Sequence, residues 1–301
     1  MANPEITAIR VMLARMPAGV DLAASRAAYD ATADKLGVPG DVALTVEARA
    51  GAPAEWSATP AAASDRAILY LHGGGYVIGS IKSHRHLGAQ LGREAGARTL
   101  MLDYRLAPEH PFPAAVEDSL TAYRFLLNQG YQPGNIAIAG DSAGGGLTVA
   151  TLVAIRDAGL AQPACGFCIS PWIDLEGTGA SLTSKAAEDP MVQKAGLTDN
   201  ARQYLGGADP KTPLAAPLYA DLKGIAPLLI QAGSAETLLD DAIRLAGRAG
   251  AAEVEVRLEV WPEMLHVWHY FYGILADGRR ALNDAGEWIR EKMDAGARAS
   301  E

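Results

Sequence analysis

The chain has 301 residues, 49% of them hydrophobic, enough to bury one large α/β core with an elaboration rather than two independent domains. Its net charge of −9 is spread along the sequence with no cluster of Lys or Arg, which argues against a nucleic-acid partner. Residues 1–16 carry Glu5 and two arginines and no small-residue cleavage site, and no run of about eighteen apolar residues occurs anywhere, so neither a signal peptide nor a membrane span is expected, and a cytoplasmic enzyme is the default.

Amphipathic spacing predicts helices over 5–16 and 21–36, the second closed by Gly37 and Pro39-Gly40. Strands at 42–48 and 54–58 follow. The pattern then alternates: strand 67–71, helix 86–95, strand 98–104, helix 114–128, strand 135–139, helix 143–158, strand 165–170. Such alternation predicts an α/β protein with a mostly parallel sheet covered by helices on both faces. It breaks between 174 and 216, where Gly- and Pro-punctuated sequence carries short helical pieces near 189–195 and 199–205. It resumes with strand 227–232, helix 238–250, strand 254–260 and helix 279–292. The expected organisation is N-terminal cap helices over 1–40, a core over 41–174 and 217–301, and a cap insertion over 175–216. Both cap pieces should gather at the carboxyl edge of the sheet, where open α/β folds bind ligands. Cys165 and Cys168 fall on opposite faces of one interior strand, so they are expected as buried packing residues and not as a redox pair or zinc ligands.

The chemistry centres on Gly140-Asp141-Ser142-Ala143-Gly144, which ends a strand and opens a helix. In that context Gly-x-Ser-x-Gly forms a turn so tight that a Cβ at either outer position collides with its surroundings, and the serine is pushed clear of the sheet. A serine hydroxyl needs a base, a group that holds the base, and donors for the developing oxyanion. His72-Gly73-Gly74-Gly75 follows a strand at the place where side-chain-free backbone can present N–H groups to an oxyanion. The base must come late in the chain, and His266, after the last strand, is the leading candidate. His269 lies three residues beyond it, and His84, His86 and His110 read as structural or surface residues. The acid should follow strand 227–232. Glu236 lies closest to the strand end, with Asp240 as its rival and Asp241 beside it at the start of the next helix.

With these positions in place, the chain resembles the bacterial hormone-sensitive-lipase-like esterases, the GDSAG branch of the α/β-hydrolase superfamily. The resemblance also takes in Asp103-Tyr104-Arg105-Leu106-Ala107-Pro108-Glu109-His110, Phe112-Pro113-Ala114 and Ser170-Pro171-Trp172-Ile173-Asp174. It implies an α/β-hydrolase fold with a helical cap and an oxyanion hole from Gly74, Gly75 and Ala143. The resemblance also implies frequent dimers, to which strand 254–260 could contribute an exposed sheet edge. Two positions depart from the family: Glu236 where the acid is usually Asp, and Leu265 where Gly often precedes the histidine. Arg105 and Glu109 are expected to tie a loop together rather than to catalyse. The expected activity is hydrolysis of a small acyl ester of short to medium chain through an acyl-enzyme, with no metal or cofactor. Amide or formamide hydrolysis by the same triad is the alternative. A non-catalytic receptor on this fold fits less well, since such receptors lack the histidine that His266 supplies.

Overall fold

A computed structural model describes residues 3–14, 21–33 and 36–299. In chain order these form α1 (Pro4–Leu13), α2 (Leu22–Ala33), β1 (Ala43–Glu47), β2 (Ala54–Ala58), β3 (Ala63–Leu71), α3 (Ile81–Ala95), β4 (Ala97–Leu102), α4 (Ala114–Asn128), β5 (Ile136–Asp141), α5 (Ala143–Asp157), β6 (Cys165–Ile169), α6 (Ser181–Ser184), α7 (Lys194–Leu205), β7 (Leu228–Gly233), α8 (Leu239–Ala251), β8 (Val256–Trp261) and α9 (Ala276–Ala299). The strands build one eight-stranded sheet in the order β1-β2-β4-β3-β5-β6-β7-β8. β2 runs antiparallel to both of its neighbours, and every pairing from β4 across to β8 is parallel.

Side chains alternate across this sheet and feed two cores. Leu69 and Leu71 of β3, with Ile136, Ile138, Leu228 and Ile230, pack against α4, α5 and α8. Ile68 and Tyr70, with Ala137, Phe167 and Leu229, face α1, α3 and α9 on the other side. Burial on both faces is why the central strands read as unbroken apolar runs. The cysteines follow the same rule: Cys168 belongs to the first core and Cys165 to the second, both fully buried.

Some element limits differ from the expected ones. α3 begins at Ile81, well before 86, because the Ser80 hydroxyl accepts the Ser83 N–H and the Ser83 hydroxyl accepts the Ser80 N–H, a capping box built from two serines. No helix forms over 189–193. There the Asp189 carboxylate accepts the N–H groups of Met191 and Val192 through one oxygen and that of Thr237 through the other, which satisfies the backbone without helical bonds. The expected piece at 199–205 lies within α7, which also takes in 194–195, and α6 lies earlier in the insertion. The expected end of the first helix at 15–16, and positions 34–35 of the second, lie outside the described residues. Among the described residues no helix is long and apolar enough to cross a membrane.

Candidate active site

Ser142 stands between β5 and α5 with φ 53° and ψ −119°, a strained backbone for a side chain with a Cβ. Its flanking glycines are enforced by close backbone approach. A Cβ on Gly144 would lie 1.9 Å from the Leu71 carbonyl oxygen, and one on Gly140 would lie 2.4 Å from that of Gly144. Residues 143–150 are buried, while Ser142 keeps partial exposure. Its N–H donates to the Ile169 carbonyl and its own carbonyl accepts from Trp172, so the turn is fastened to the end of β6.

The glycine loop after β3 is bolted to the same turn through Asp141. This fully buried carboxylate accepts the Gly73 N–H at 3.1 Å and the Tyr70 hydroxyl at 2.8 Å through one oxygen, and lies 3.3 Å from His84 Nε2 through the other. Burial works hardest against its charge, yet His84 and Tyr70 together outweigh it and hold its pKa below the ordinary carboxylate value. Because Gly73 N–H is spent on Asp141, it is not free for a substrate. Among the described residues no hydrogen bond takes the N–H of Gly74, Gly75 or Ala143. Gly74 has φ 116°, and a Cβ there would meet the Ile78 carbonyl oxygen at 2.1 Å.

The loops after β7 and β8 meet in a buried pair. His266 Nδ1 lies 2.7 Å from Glu236 Oε2, and the other Glu236 oxygen accepts the Gly233 N–H at 2.8 Å. Glu236 is completely buried and His266 nearly so. Burial is the strongest influence on both groups and opposes charge on each. For Glu236 it prevails over His266, Gly233 and Ser170, and the pKa is raised. For His266 the hydrogen bond and charge of Glu236 outweigh it, and the pKa is raised too. Ser170 joins the pair to the nucleophile turn. Its hydroxyl accepts the Val267 N–H at 3.1 Å, one residue along from the Ile169 carbonyl that holds Ser142. No hydrogen bond between Ser142 Oγ and His266 Nε2 is present among the described residues. Such contacts commonly tighten only when substrate binds. Tyr76, Ser142, Ser170 and Val267 are four of the six non-glycine residues with positive φ among the described residues, so backbone strain concentrates here.

The remaining acids and histidines have other partners. Asp240 accepts the Ser181 N–H, and Asp241 accepts those of Ile173 and Asp174; both lie on α8 and brace the segment entering the insertion. His269 is buried with Nε2 bonded to Gln231, and burial pushes its pKa down to about 3. His72 stacks on Tyr104 at 4.3 Å and His86 bonds the Tyr270 carbonyl, while His110 is exposed. Arg105 and Glu109 do tie chain together, but to different partners: Arg105 binds Asp118, and Glu109 binds Arg26 of α2, whose guanidinium also donates to the Val77 and Ala107 carbonyls. The roles of Asp141 and Ser170, and the bond of Asp189 to Thr237, are not apparent from the sequence, because each reaches a segment distant in the chain.

The chain is similar to known proteins over nearly its whole length. A family described as alpha/beta hydrolase fold matches residues 68–270. An acetyl-hydrolase from Streptomyces hygroscopicus is 48% identical over 301 residues, covering 98% of this chain and 99% of its own. The crystal structure of an esterase from the bacterial hormone-sensitive lipase family superposes with a TM-score of 0.95 at 48% identity, over 97% of this chain and 99% of that one. EstE5, in a crystal soaked with p-nitrophenyl butyrate, superposes with a TM-score of 0.94 at 46% identity, over 97% of this chain and all of that one.

Proposed function

The chain belongs to the alpha/beta hydrolase family, is a carboxylic ester hydrolase akin to the bacterial hormone-sensitive-lipase esterases, and, we propose, cleaves short- to medium-chain acyl esters through an acyl-enzyme on Ser142. His266 takes the serine proton as Oγ attacks the ester carbonyl, then delivers it to the leaving alcohol. Glu236 fixes the imidazole tautomer through Nδ1–H and stabilises the imidazolium. Gly74, Gly75 and Ala143 donate N–H groups to the oxyanion, aided by the positive end of α5, and one such donor is worth about 3 kcal/mol. A water then repeats the attack on the acyl-enzyme with His266 as base.

The observation that carries this reading is the buried 2.7 Å contact between Glu236 and His266, tied through Ser170 to the turn of Ser142. The acyl-length preference is supported by the relative EstE5, soaked with a four-carbon acyl ester. The same reading treats α1, α2 and residues 175–216 as the cap. Arg10 of α1 bonds the Glu188 carbonyl of the insertion, and Arg26 of α2 holds the glycine-loop side of the site. It also has β8 pairing across a two-fold axis in a homodimer, and the enzyme acting in the cytoplasm, where two free buried cysteines stay reduced. Initial rates on matched p-nitrophenyl butyrate and butyryl anilide test the substrate class. Faster ester turnover, abolished in Ser142→Ala, is expected, and faster anilide turnover would replace the esterase reading with an amidase.

A further inference from the structure

The carboxamide of Asn200 is a polar group beside the site to which the reaction above gives no task. Asn200 and Tyr204 lie one turn apart on α7 and so share a face. Tyr204 stacks on Tyr76 with ring centroids 3.7 Å apart and planes 5° apart, and Tyr76 directly follows Gly75. Phe112 N–H donates to the Tyr204 carbonyl at 2.7 Å, which helps fix this end of α7. Asn200 then meets the glycine loop itself: a Cβ on Gly75 would stand 2.2 Å from Asn200 Nδ2. A Cβ lies roughly 2.5 Å from its own backbone nitrogen, so Gly75 N and Asn200 Nδ2 are at most about 5 Å apart. Two donors so placed can converge on one oxygen lying about 3 Å from each. Asn200 is half-buried and, among the described residues, its side chain makes no hydrogen bond, just as the Gly75 N–H makes none. A part-buried amide without an internal partner, one helical turn from the Tyr204–Tyr76 stack and beside a second unpartnered donor, is placed to meet an acceptor that arrives from outside.

We propose that Asn200 is a further catalytic residue, its Nδ2 donating with Gly75 N–H to the carbonyl oxygen of the bound ester. This rests on the serine-hydrolase reading of the site. As the bond from Ser142 Oγ to the carbonyl carbon forms and the serine proton passes to His266, the carbonyl π pair moves onto that oxygen. The Asn200 hydrogen bond strengthens as the charge grows, and it relaxes when the C=O re-forms and the alcohol leaves with the proton from His266. Since the donor comes from the insertion, the oxyanion site would be completed by α7 and not by the core alone.

The test uses Asn200→Ala, which deletes the amide, and Asn200→Asp, which keeps its shape and removes the donor. Each should lower kcat on p-nitrophenyl butyrate by about 10- to 100-fold with little change in KM. Affinity for an alkyl trifluoromethyl ketone, whose adduct on Ser142 carries the same oxyanion, should fall in parallel, with the melting temperature unchanged. Asn200→Gln, which retains a donor, should recover part of both losses. The proposal fails if either of the first two variants stays within about twofold of the wild type in kcat and ketone affinity, or if the loss is confined to KM. Ser142→Ala separates the two ideas: if it is inactive while the Asn200 variants are normal, only the role of Asn200 falls, and if it stays active the serine mechanism itself falls.

Discussion

Glu236 is one methylene longer than the aspartate usual at its place, and the extra length is used: one oxygen reaches Gly233 N–H and the other His266 Nδ1. Glu236→Gln would turn an N–H toward the imidazole or break that grip, so kcat should fall by about 10³-fold or more. Asp240→Asn, whose carboxylate among the described residues accepts only the Ser181 N–H, should leave kcat within about threefold. Turnover of the two purified variants decides the acid, and the reverse ranking would assign Asp240. The raised pKa of His266 has a pH consequence. Only the neutral imidazole can accept the serine proton, so the acid limb of kcat/KM should lie above the ordinary histidine value of 6.5. In Glu236→Gln the burial that opposes the charged form loses its main counterweight, leaving only the more distant Asp189 and Asp141, and that limb should move to lower pH. A pH–rate profile unshifted by the substitution would contradict the pairing. Ser142, His72 to Gly75 and His266 could be read from the sequence because a glycine requirement, or a place after a strand, is written locally. Ser170 and Asn200 could not, since their importance comes from a loop 97 positions away in one case and from a loop on another strand in the other.

At the scale of elements, the alternation of apolar runs placed the sheet correctly, and errors gathered where side chains rather than periodicity set the ends. α3 is lengthened by its serine capping box, and the turn at Asp189 replaces an expected helix with side-chain bonds. The junction of β5 and α5 has no slack: Gly144→Ala would place a methyl 1.9 Å from the Leu71 carbonyl oxygen, against backbone on a central strand. That variant should be severely destabilised, by about 4 kcal/mol or more in urea unfolding, with activity lost alongside. Asp241 sets a pH dependence at the junction of α8 with the segment entering the insertion. Burial pushes its carboxyl up to about 7 from 3.8, so the folded state holds a proton that the unfolded chain releases. Stability from this group is full below about pH 4, declines between about 4 and 7, and is level above. Asp241→Asn, whose carbonyl can still accept the Ile173 and Asp174 N–H groups, should flatten that decline. Denaturation midpoints of both proteins at several pH values measure it, and parallel curves would place the carboxyl's titration elsewhere.

Across the whole molecule, the proposed site draws on the ends of β3, β5, β7 and β8 at one edge of the sheet, with Ser170 after β6 supplying the cross-link. The order of the loops along the chain could be read beforehand, whereas the strand order β4-β3-β5 that makes them neighbours appears only in the fold. β8 closes one side of the sheet with Val260 exposed, and this edge is the one the proposed dimer would cover. Sedimentation should therefore give a dimer that Val260→Lys shifts toward monomer. The acyl-enzyme on Ser142 can be trapped by rapid quench of the enzyme during turnover of p-nitrophenyl butyrate, followed by mass spectrometry of its peptides. A butyryl group should accumulate on Ser142 before steady state and be absent from Ser142→Ala. A butyryl group on another residue, or turnover surviving in Ser142→Ala, would contradict that intermediate.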